Sequence, residues 1–220
     1  MSQLQTKTAT RAEDTVNKLR ADITRGALPP GTLLAESAMA RQLGVSRVPV
    51  REALFSLERE GLVEFSGTGR AYVKEMKPHD FEELFLLRLS LEPLATRLAA
   101  PAIRKDSREL EENIAATAAS KTLQDLTRLD LDFHDIILRA SGHKRLIRIC
   151  SSLRSELEVW LARLHRDLES RTSVTRATTV NSHTKLMRCM QEQSPAAAER
   201  LCREHIQGWR EWLPVSETEE

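Results

Sequence analysis

Aromatic residues and cysteines are scarce in this chain of 220 residues. Aromatic side chains make up 4 % of the sequence, and the three cysteines are Cys150, Cys189 and Cys202. An odd number of cysteines without paired spacing argues against a secreted, disulfide-stapled fold. The sequence also lacks a signal-peptide pattern and any apolar run of about 18 residues. We therefore expect a cytoplasmic protein that has no membrane partner.

A strong net charge is lacking as well. Lys and Arg number 33 against 32 Asp and Glu, a formal charge of +1, and residues 1–75 carry 11 basic against 9 acidic residues. A nucleic-acid-binding protein of this composition must gather its basic residues on one face. The 40 % hydrophobic content allows a substantial core, and the prevalence of Leu, Ala, Arg and Glu predicts a mostly α protein.

Two short helices with a glycine between them are predicted in the first third of the chain. Apolar residues at helical spacing indicate a helix over 35–43, and Gly44 suits its left-handed C-cap. Ser46 is a good N-cap for a second helix that begins near Arg47, with Pro49 tolerated in its first turn. Its apolar face comprises Val50, Ala53, Leu54 and Leu57. Helix, turn and helix in this order are typical of a DNA-reading unit.

A small β-hairpin wing is predicted directly after these helices. Residues 62–65 and 71–74 have strand patterns, and 66–70 form a Gly-rich, basic tip. Arginine side chains at the start of the second helix can bond guanine edges. The candidate DNA-binding residues are Ser46, Arg47, Val48, Pro49, Arg51, Gly69 and Arg70. The alternative is a helix-turn-helix that serves only packing or protein contact.

The polar segment 74–80 separates two predicted domains, at 1–76 and 77–220. Before the DNA-reading pair, apolar periodicity predicts a helix over 11–26, preceded by a frayed tail. After residue 77 the pattern predicts an antiparallel all-α bundle of about six helices, the first closed by Pro101. The helices are expected at 79–100, 107–120, 122–141, 143–168, 175–193 and 194–212. The charge-rich run 163–176 is interpreted as a solvated helix end and loop.

One carboxylate and three imidazoles in the second domain suggest a metal site. Asp130 and His134 are four residues apart on one predicted helix and share its face. His183 and His205 lie on two later helices that an antiparallel pairing can bring level. Such a set suits Zn, Ni, Mn or Fe, although hydrogen-bonded core histidines are the alternative. Cys202, three residues before His205, is a further conceivable ligand.

Two stretches carry a resemblance to a known family. The segment AExxxARQLGVSRVPVREALxxLExEGLV resembles the signature of the GntR family of bacterial transcription regulators, with Val48 and Ser37 as departures. The segments LDLDFHDIILRASGHKRL and NSHTKLMRCMQEQSPAAAERLCREHI resemble the FCD ligand-binding domain of its FadR subfamily, in the shorter, VanR-like form. The resemblance implies that Asp130, His134, His183 and His205 are metal ligands, and that a small carboxylate effector completes the site.

The resemblance further implies a metabolite-responsive regulator, with repression as the expected sign. We expect a homodimer on a pseudo-palindromic operator in double-stranded DNA, because one recognition helix reads too few base pairs. Arg88 could bind the effector carboxylate, or could simply pair with Glu92 four residues on. Alternatively, the metal is structural or is itself the signal. A metal-dependent hydrolase is a weaker alternative, since no general base is evident and an enzyme needs no DNA-reading module, so no enzyme activity is expected.

Overall fold

The computed structural model describes the backbone of residues 2–212 and the side chains of residues 12–210. Within these residues the chain forms nine α-helices and one two-stranded antiparallel sheet, which confirms the mostly α fold class. The contacts divide the chain into two compact units, Met1–Lys77 and Pro78–Glu220. None of the described helices combines the length and apolar character that a bilayer crossing requires.

The first unit contains three helices and the hairpin. Its elements are α1 (Ser2–Thr24), α2 (Glu36–Leu43), α3 (Arg47–Arg59), β1 (Val63–Phe65) and β2 (Ala71–Val73). The first helix begins at Ser2 rather than near Arg11, so the prediction of a frayed tail is wrong for the described backbone. Residues 2–10 contain neither Pro nor Gly, and a polar segment without a breaker can extend a helix that is already nucleated.

The turn between α2 and α3 follows the predicted chemistry. Gly44 has a φ of 66° and its N–H bonds to the carbonyl of Ala40. The N–H of Val45 also bonds to Ala40, at 3.0 Å. The predicted apolar face of α3, comprising Val50, Ala53, Leu54 and Leu57, is buried. α3 packs on α1, where Arg20 makes a bidentate pair with Glu60 at 2.7 and 2.8 Å.

The wing has the predicted hairpin form. Val63 pairs with Val73, and Phe65 pairs with Ala71. At the tip the N–H of Ser66 donates to the carbonyl of Arg70 at 2.9 Å, and Gly69 has the positive φ that the reversal requires. An isolated bridge from Leu33 to Tyr72, which the sequence did not indicate, adds a short third edge.

The second unit is a bundle of six α-helices within the described chain, as predicted. They are α4 (Pro78–Lys105), α5 (Arg108–Ala119), α6 (Leu123–Ala140), α7 (Lys144–Thr172), α8 (Thr175–Glu192) and α9 (Pro195–Gly208), followed by a 3-10 turn at Trp209–Trp212. α4 is the central helix, because it packs against α6, α7, α8 and α9. Short connections between long helices favour antiparallel neighbours.

Two helix ends differ from the predictions. α4 contains both Pro93 and Pro101 and ends at Lys105, so Pro101 does not close it. A proline inside a helix costs about 3 kcal/mol, and here the surrounding turns bury Ala99, Ala100 and Ile103, which offsets that cost. α7 continues to Thr172, four residues beyond its predicted end at 168, so residues 169–172 are helical rather than part of the loop.

Candidate functional site

Three helices position the predicted metal-binding residues. Asp130 and His134 lie on α6, His183 on α8 and His205 on α9. The helices that supply the first and last of these begin with side-chain caps. Thr122 caps α6 by accepting from the N–H of Asp125, and Ser194 caps α9 by accepting from the N–H of Ala197. These caps fix where each helix starts, and therefore which face its later residues occupy.

The four residues meet in the interior of the bundle. Asp130 Oδ1 lies 3.2 Å from His183 Nε2 and 3.5 Å from His134 Nε2. His134 Nε2 lies 3.3 Å from His205 Nε2. One ligand atom from each of the three histidines falls within 4.8 Å of the others. Packing of the three helices therefore brings together residues that are up to 75 positions apart in the chain.

Several buried atoms in this cluster have no hydrogen-bond partner within the described part of the chain. They are both carboxylate oxygens of Asp130 and both ring nitrogens of His183. Asp130 and His183 are 0 % exposed, and a buried carboxylate without donors is costly unless a cation compensates it. Metal bonds of about 2.1 Å place neighbouring ligand atoms about 3.0 to 3.4 Å apart. The spacings of 3.2 and 3.3 Å fall in this range and that of 3.5 Å lies just above it, so the residues fit a divalent transition-metal ion.

Burial and neighbouring groups shift the pKa values of Asp130, His183 and His205 toward the protonation states that a metal needs. Burial alone would raise the pKa of Asp130, but His165 and His183 hold it well below its usual value. Burial lowers the pKa of His183 against the opposing effect of Asp130. For the half-buried His205, desolvation together with His134 and His183 holds the pKa well below its ordinary value. A carboxylate beside neutral imidazoles is the ligand form for a divalent ion.

A buried ion pair on α4 adjoins this cluster. Arg88 donates from Nε to Glu92 Oε1 at 2.7 Å, and both side chains are almost fully buried. Glu92 Oε2 lies 2.7 Å from His134 Nδ1, although that N–H points off the line between the two atoms, since Oε2 lacks a well-directed donor. The i+4 pairing of Arg88 is thus present, while its two terminal nitrogens have no partner among the described residues.

His165 is a site residue that the sequence analysis missed. It was assigned to a solvated, charge-rich stretch, yet its side chain is 0 % exposed and its Nε2 lies 3.2 Å from Asp130 Oδ2. Its Nδ1 lies 2.8 Å from the hydroxyl of Thr127. The signal was present, because His165 follows Leu161 by four residues on the apolar face of α7.

Neither Cys202 nor Asp130 belongs to the group of three histidines whose ligand atoms converge, but Asp130 lies within 3.5 Å of two of them. Cys202 is fully buried, and burial raises the pKa of its thiol to about 12. Because the thiolate is the form that binds metal, this environment disfavours the conceivable role as a ligand.

The candidate DNA-binding residues lie at the start of α3 and at the wing tip. Ser46 occupies the N-cap position without making a side-chain cap bond. It is exposed, as are Arg47, Val48, Arg51, Gly69 and Arg70. Pro49 is buried, so the prediction that it contacts DNA does not fit its position. Its fixed φ instead suits the first turn of α3.

Arg51 is already engaged within the first unit. Its Nε and Nη2 donate to the two carboxylate oxygens of Glu36 on α2, at 2.7 and 2.9 Å. This bidentate pair crosses from one helix of the motif to the other. It holds the guanidinium at the open end of α3 and leaves some of its five N–H donors available.

A winged helix-turn-helix together with a helical domain that encloses a histidine cluster defines a class of two-domain DNA-binding regulators. Residues 11–73 match the gntR family of bacterial regulatory proteins, and residues 83–208 match the FCD domain. The chain therefore belongs to the GntR family of bacterial transcription regulators, in its FadR-like form with an FCD domain. Members of this family are regulators and not enzymes.

Individual relatives are distant. The chain is 28 % identical to the HTH-type transcriptional regulator YdhC of Bacillus subtilis (strain 168) over 59 % of its own length and 60 % of that protein. It is also 28 % identical to a Paenarthrobacter nicotinovorans protein named "Probable D-xylose utilization operon transcriptional repressor", over 84 % of this chain and 80 % of that one. The crystal structure of a GntR regulator from Rhodococcus sp. RHA1 superposes with a TM-score of 0.76 at 19 % identity, covering 94 % of this chain and all of the other, which shows a common fold.

Proposed function

We propose that this chain is a metabolite-responsive repressor that binds a pseudo-palindromic operator as a homodimer. Asp130, His134, His183 and His205 hold a divalent metal ion, which is Zn, Ni, Mn or Fe. A small carboxylate is the effector. The fully buried Asp130 is the observation that supports the metal site most strongly. Its two oxygens face the imidazoles of His134, His165 and His183 without a well-directed hydrogen bond. The Paenarthrobacter relative is named a repressor, and this supports repression as the mode of regulation.

The bound ion would supply a Lewis-acidic centre with coordination positions left over for a carboxylate. Four protein ligands on an octahedral ion leave two positions open. Arg88 lies one helical turn before Glu92, and its unpartnered terminal nitrogens can pair with an anionic effector. The chain thus offers a metal and a guanidinium to one small anion.

DNA binding rests on the exposed start of α3. Arg47 and Arg51 contact base edges or phosphates in the major groove, Ser46 bonds a phosphate, and Gly69 and Arg70 form the wing contact. Arg47 has an exposed side chain at the N-terminal end of the helix, where a recognition helix meets the bases. Val48 is 59 % exposed beside it and is available for an apolar contact.

A leucine stripe on α4 supports the homodimer. Leu87, Leu94 and Leu98 are 40 to 42 % exposed, and the partly buried Leu91 lies between them, so the spacings are four, three and four. This heptad pattern is typical of a helix that packs against a partner helix. Exposed apolar side chains in a row are costly in water, and we propose that a second copy of this chain covers them.

Metal content tests this proposal most directly. Purified protein is expected to contain close to one metal per chain by elemental mass spectrometry, and the His134→Ala and His183→Ala variants are expected to lose it. Wild-type protein without metal, and variants as stable as wild type, would return these histidines to hydrogen-bonded core residues.

Two alternatives concern the role of the metal. It could be structural, or it could itself be the signal. If metal titrated into metal-free protein changes operator affinity without an organic ligand, the metal is the signal. If metal changes only the thermal stability, and no carboxylate alters operator affinity, the metal is structural.

A further inference from the structure

One carboxylate in the second unit contacts two functional groups at once. Glu92, which the sequence did not mark as a site residue, lies on α4 and is 6 % exposed. Its Oε1 accepts from Arg88 Nε at 2.7 Å, and its Oε2 lies 2.7 Å from His134 Nδ1. Glu92 is not among the residues whose ligand atoms converge. It therefore stands between the guanidinium and the metal ligands.

We propose that Glu92 is a positioning residue of the metal centre, which keeps the proton of His134 on Nδ1 and ties that histidine to Arg88. Nε2 of His134 then presents its lone pair to the ion. This inference rests on the metal site of the proposed function, and it names a residue that controls the form in which a ligand is presented.

The distances determine which nitrogen carries the proton. A neutral imidazole has one N–H and one acceptor nitrogen. Two acceptors at 2.7 Å would repel, so the short distance favours a proton on Nδ1, although Oε2 accepts no well-directed hydrogen bond from the described residues. Nε2 is the atom that faces the cluster, 3.3 Å from His205 Nε2. A carboxylate that accepts from the far nitrogen of a ligand histidine also fixes the orientation of the ring.

The same carboxylate is held in place by Arg88. Arg88 Nε donates to Glu92 Oε1 at 2.7 Å, and a guanidinium this close favours the ionised form of the carboxyl group. The terminal nitrogens of Arg88 lack partners among the described residues. An anion that pairs with them shares Arg88 with Glu92. Binding of the anion and binding of the metal are thereby linked, and each must affect the other.

An isosteric substitution gives a sharp test. In Glu92→Gln the amide oxygen must face Arg88, because a guanidinium only donates. The amide N–H₂ then faces His134 Nδ1, which has to accept, and the proton moves to Nε2 where it opposes metal binding. We expect the Zn²⁺ affinity of the metal-free full-length protein, measured by chelator competition, to fall about 10- to 100-fold. ¹⁵N NMR of the histidine rings should show the changed His134 tautomer before any metal is added.

A second substitution should reverse part of this loss. In Arg88→Met, Glu92→Gln the amide is free to turn its oxygen toward Nδ1, so the original tautomer and much of the Zn²⁺ affinity are expected to return. Glu92→Gln alone leaves a buried, unpaired guanidinium and can fail to fold. Two double variants without this charge are therefore compared as well: both contain Arg88→Met, one with Glu92→Gln and the other with Glu92→Leu. The leucine variant lacks an acceptor for Nδ1 and is expected to bind Zn²⁺ about tenfold more weakly.

The control is Glu83→Gln, an exposed position on the same helix, which should bind Zn²⁺ as wild type does. Wild-type protein that does not bind Zn²⁺ overturns the metal site and this inference with it. Zn²⁺ binding in wild type that is unchanged in Glu92→Gln, or equal in the two charge-free variants, overturns the positioning role alone. A loss in Glu92→Gln that Arg88→Met does not relieve overturns the link to Arg88.

Discussion

At the scale of single residues, His183 shows most plainly what burial does to an imidazole. Its ring is 0 % exposed and stacks on Phe133 with centroids 3.8 Å apart and planes 7° apart. Stacking fixes the plane of the ring, while burial lowers its pKa. The residue is therefore held neutral and in a fixed orientation, which is the state required of a ligand.

This environment predicts a pH dependence for the metal-free protein. Below about pH 6.5 the unfolded chain protonates His183 and the folded chain does not, so the unfolded state binds the extra proton. The free energy of unfolding is therefore highest above that pH, as far as this group is concerned. It falls as the pH drops, by up to about 1.4 kcal/mol per pH unit for this group. Urea unfolding of chelator-treated protein at pH 7.5, 6.5 and 5.5 measures the slope.

The control for this slope is a histidine on the surface. His183→Gln should reduce the dependence and leave the part that His205 contributes, because the pKa of His205 is also lowered. His79→Gln, whose side chain is 68 % exposed, should leave the slope unchanged. An equal slope in wild type and His183→Gln would contradict the assignment. The lowered pKa values of Asp130 and Glu92 act in the same direction, but only as the pH falls below about 4.

Arg47 carries a prediction for the DNA-reading surface. If it bonds a guanine edge bidentately, Arg47→Ala should weaken specific operator binding by about 1 to 3 kcal/mol and relax the preference at one base pair. Arg59→Ala removes an exposed arginine from the opposite end of the same helix and is expected to change binding less. Fluorescence anisotropy at fixed salt measures both. Unchanged operator affinity in Arg47→Ala would remove this residue from the interface.

Sequence reasoning found some site residues and missed others for a physical reason. Asp130 and His134 could be grouped because an i, i+4 pair shares a helix face whatever the fold. His165 could not, because the charged residues around it outweighed its place on a leucine face. Glu92 was weighed only as a partner of Arg88. Its contact with His134, 42 residues away, depends on how α4 and α6 pack. The spacing of residues in the sequence does not predict that packing.

At the scale of helices, caps and breakers had unequal predictive value. Gly44, Ser46 and Ser194 fall at helix ends as expected. Gly44 adopts the left-handed conformation and Ser194 makes a cap bond, whereas Ser46 occupies the N-cap without a side-chain bond. The prediction that Pro101 ends α4 is wrong. The free-energy cost of a proline inside a helix is local, whereas the packing that outweighs it involves the whole length of α4. Local chemistry therefore located these three helix ends, whereas the end of α4 depends on tertiary packing.

The Ser194 cap yields a measurable stability effect. Its hydroxyl accepts from the N–H of Ala197 at 3.2 Å, at the start of the helix that carries His205. Ser194→Ala is expected to lower the free energy of unfolding by about 1 kcal/mol. Ser151→Ala, in an exposed position inside α7, should be neutral or slightly stabilising because alanine is the better helix former. Urea denaturation measures the free energy of unfolding of both variants. An equal change in the two would mean that the cap bond contributes nothing to stability.

At the scale of the whole molecule, the leucine stripe on α4 and the exposed start of α3 belong to one functional requirement. A single recognition helix contacts only a few base pairs, whereas two helices related by a two-fold axis read two half-sites. The stripe is on the second unit and the reading helix on the first. The proposed pairing through the second unit would therefore serve DNA recognition by the first.

A charge placed in the leucine stripe should prevent dimerisation and leave metal binding unchanged. Leu94→Glu buries a carboxylate if the dimer forms, which is costly without a partner, so the variant is expected to be monomeric by light scattering. Operator affinity should fall about 100-fold or more, because each chain then binds one half-site. Zn²⁺ affinity should stay close to wild type, since the proposed ligands lie on α6, α8 and α9.

Val174→Glu supplies the matched control, because it introduces the same charge at a 50 % exposed apolar residue between α7 and α8. This variant should remain dimeric and bind the operator as wild type does. A Leu94→Glu protein that is folded, dimeric and fully active in operator binding would show that the stripe is not the dimer interface. If both variants became monomeric, the effect would come from added charge rather than from the stripe, because only Leu94 belongs to the heptad pattern that a partner helix would recognise.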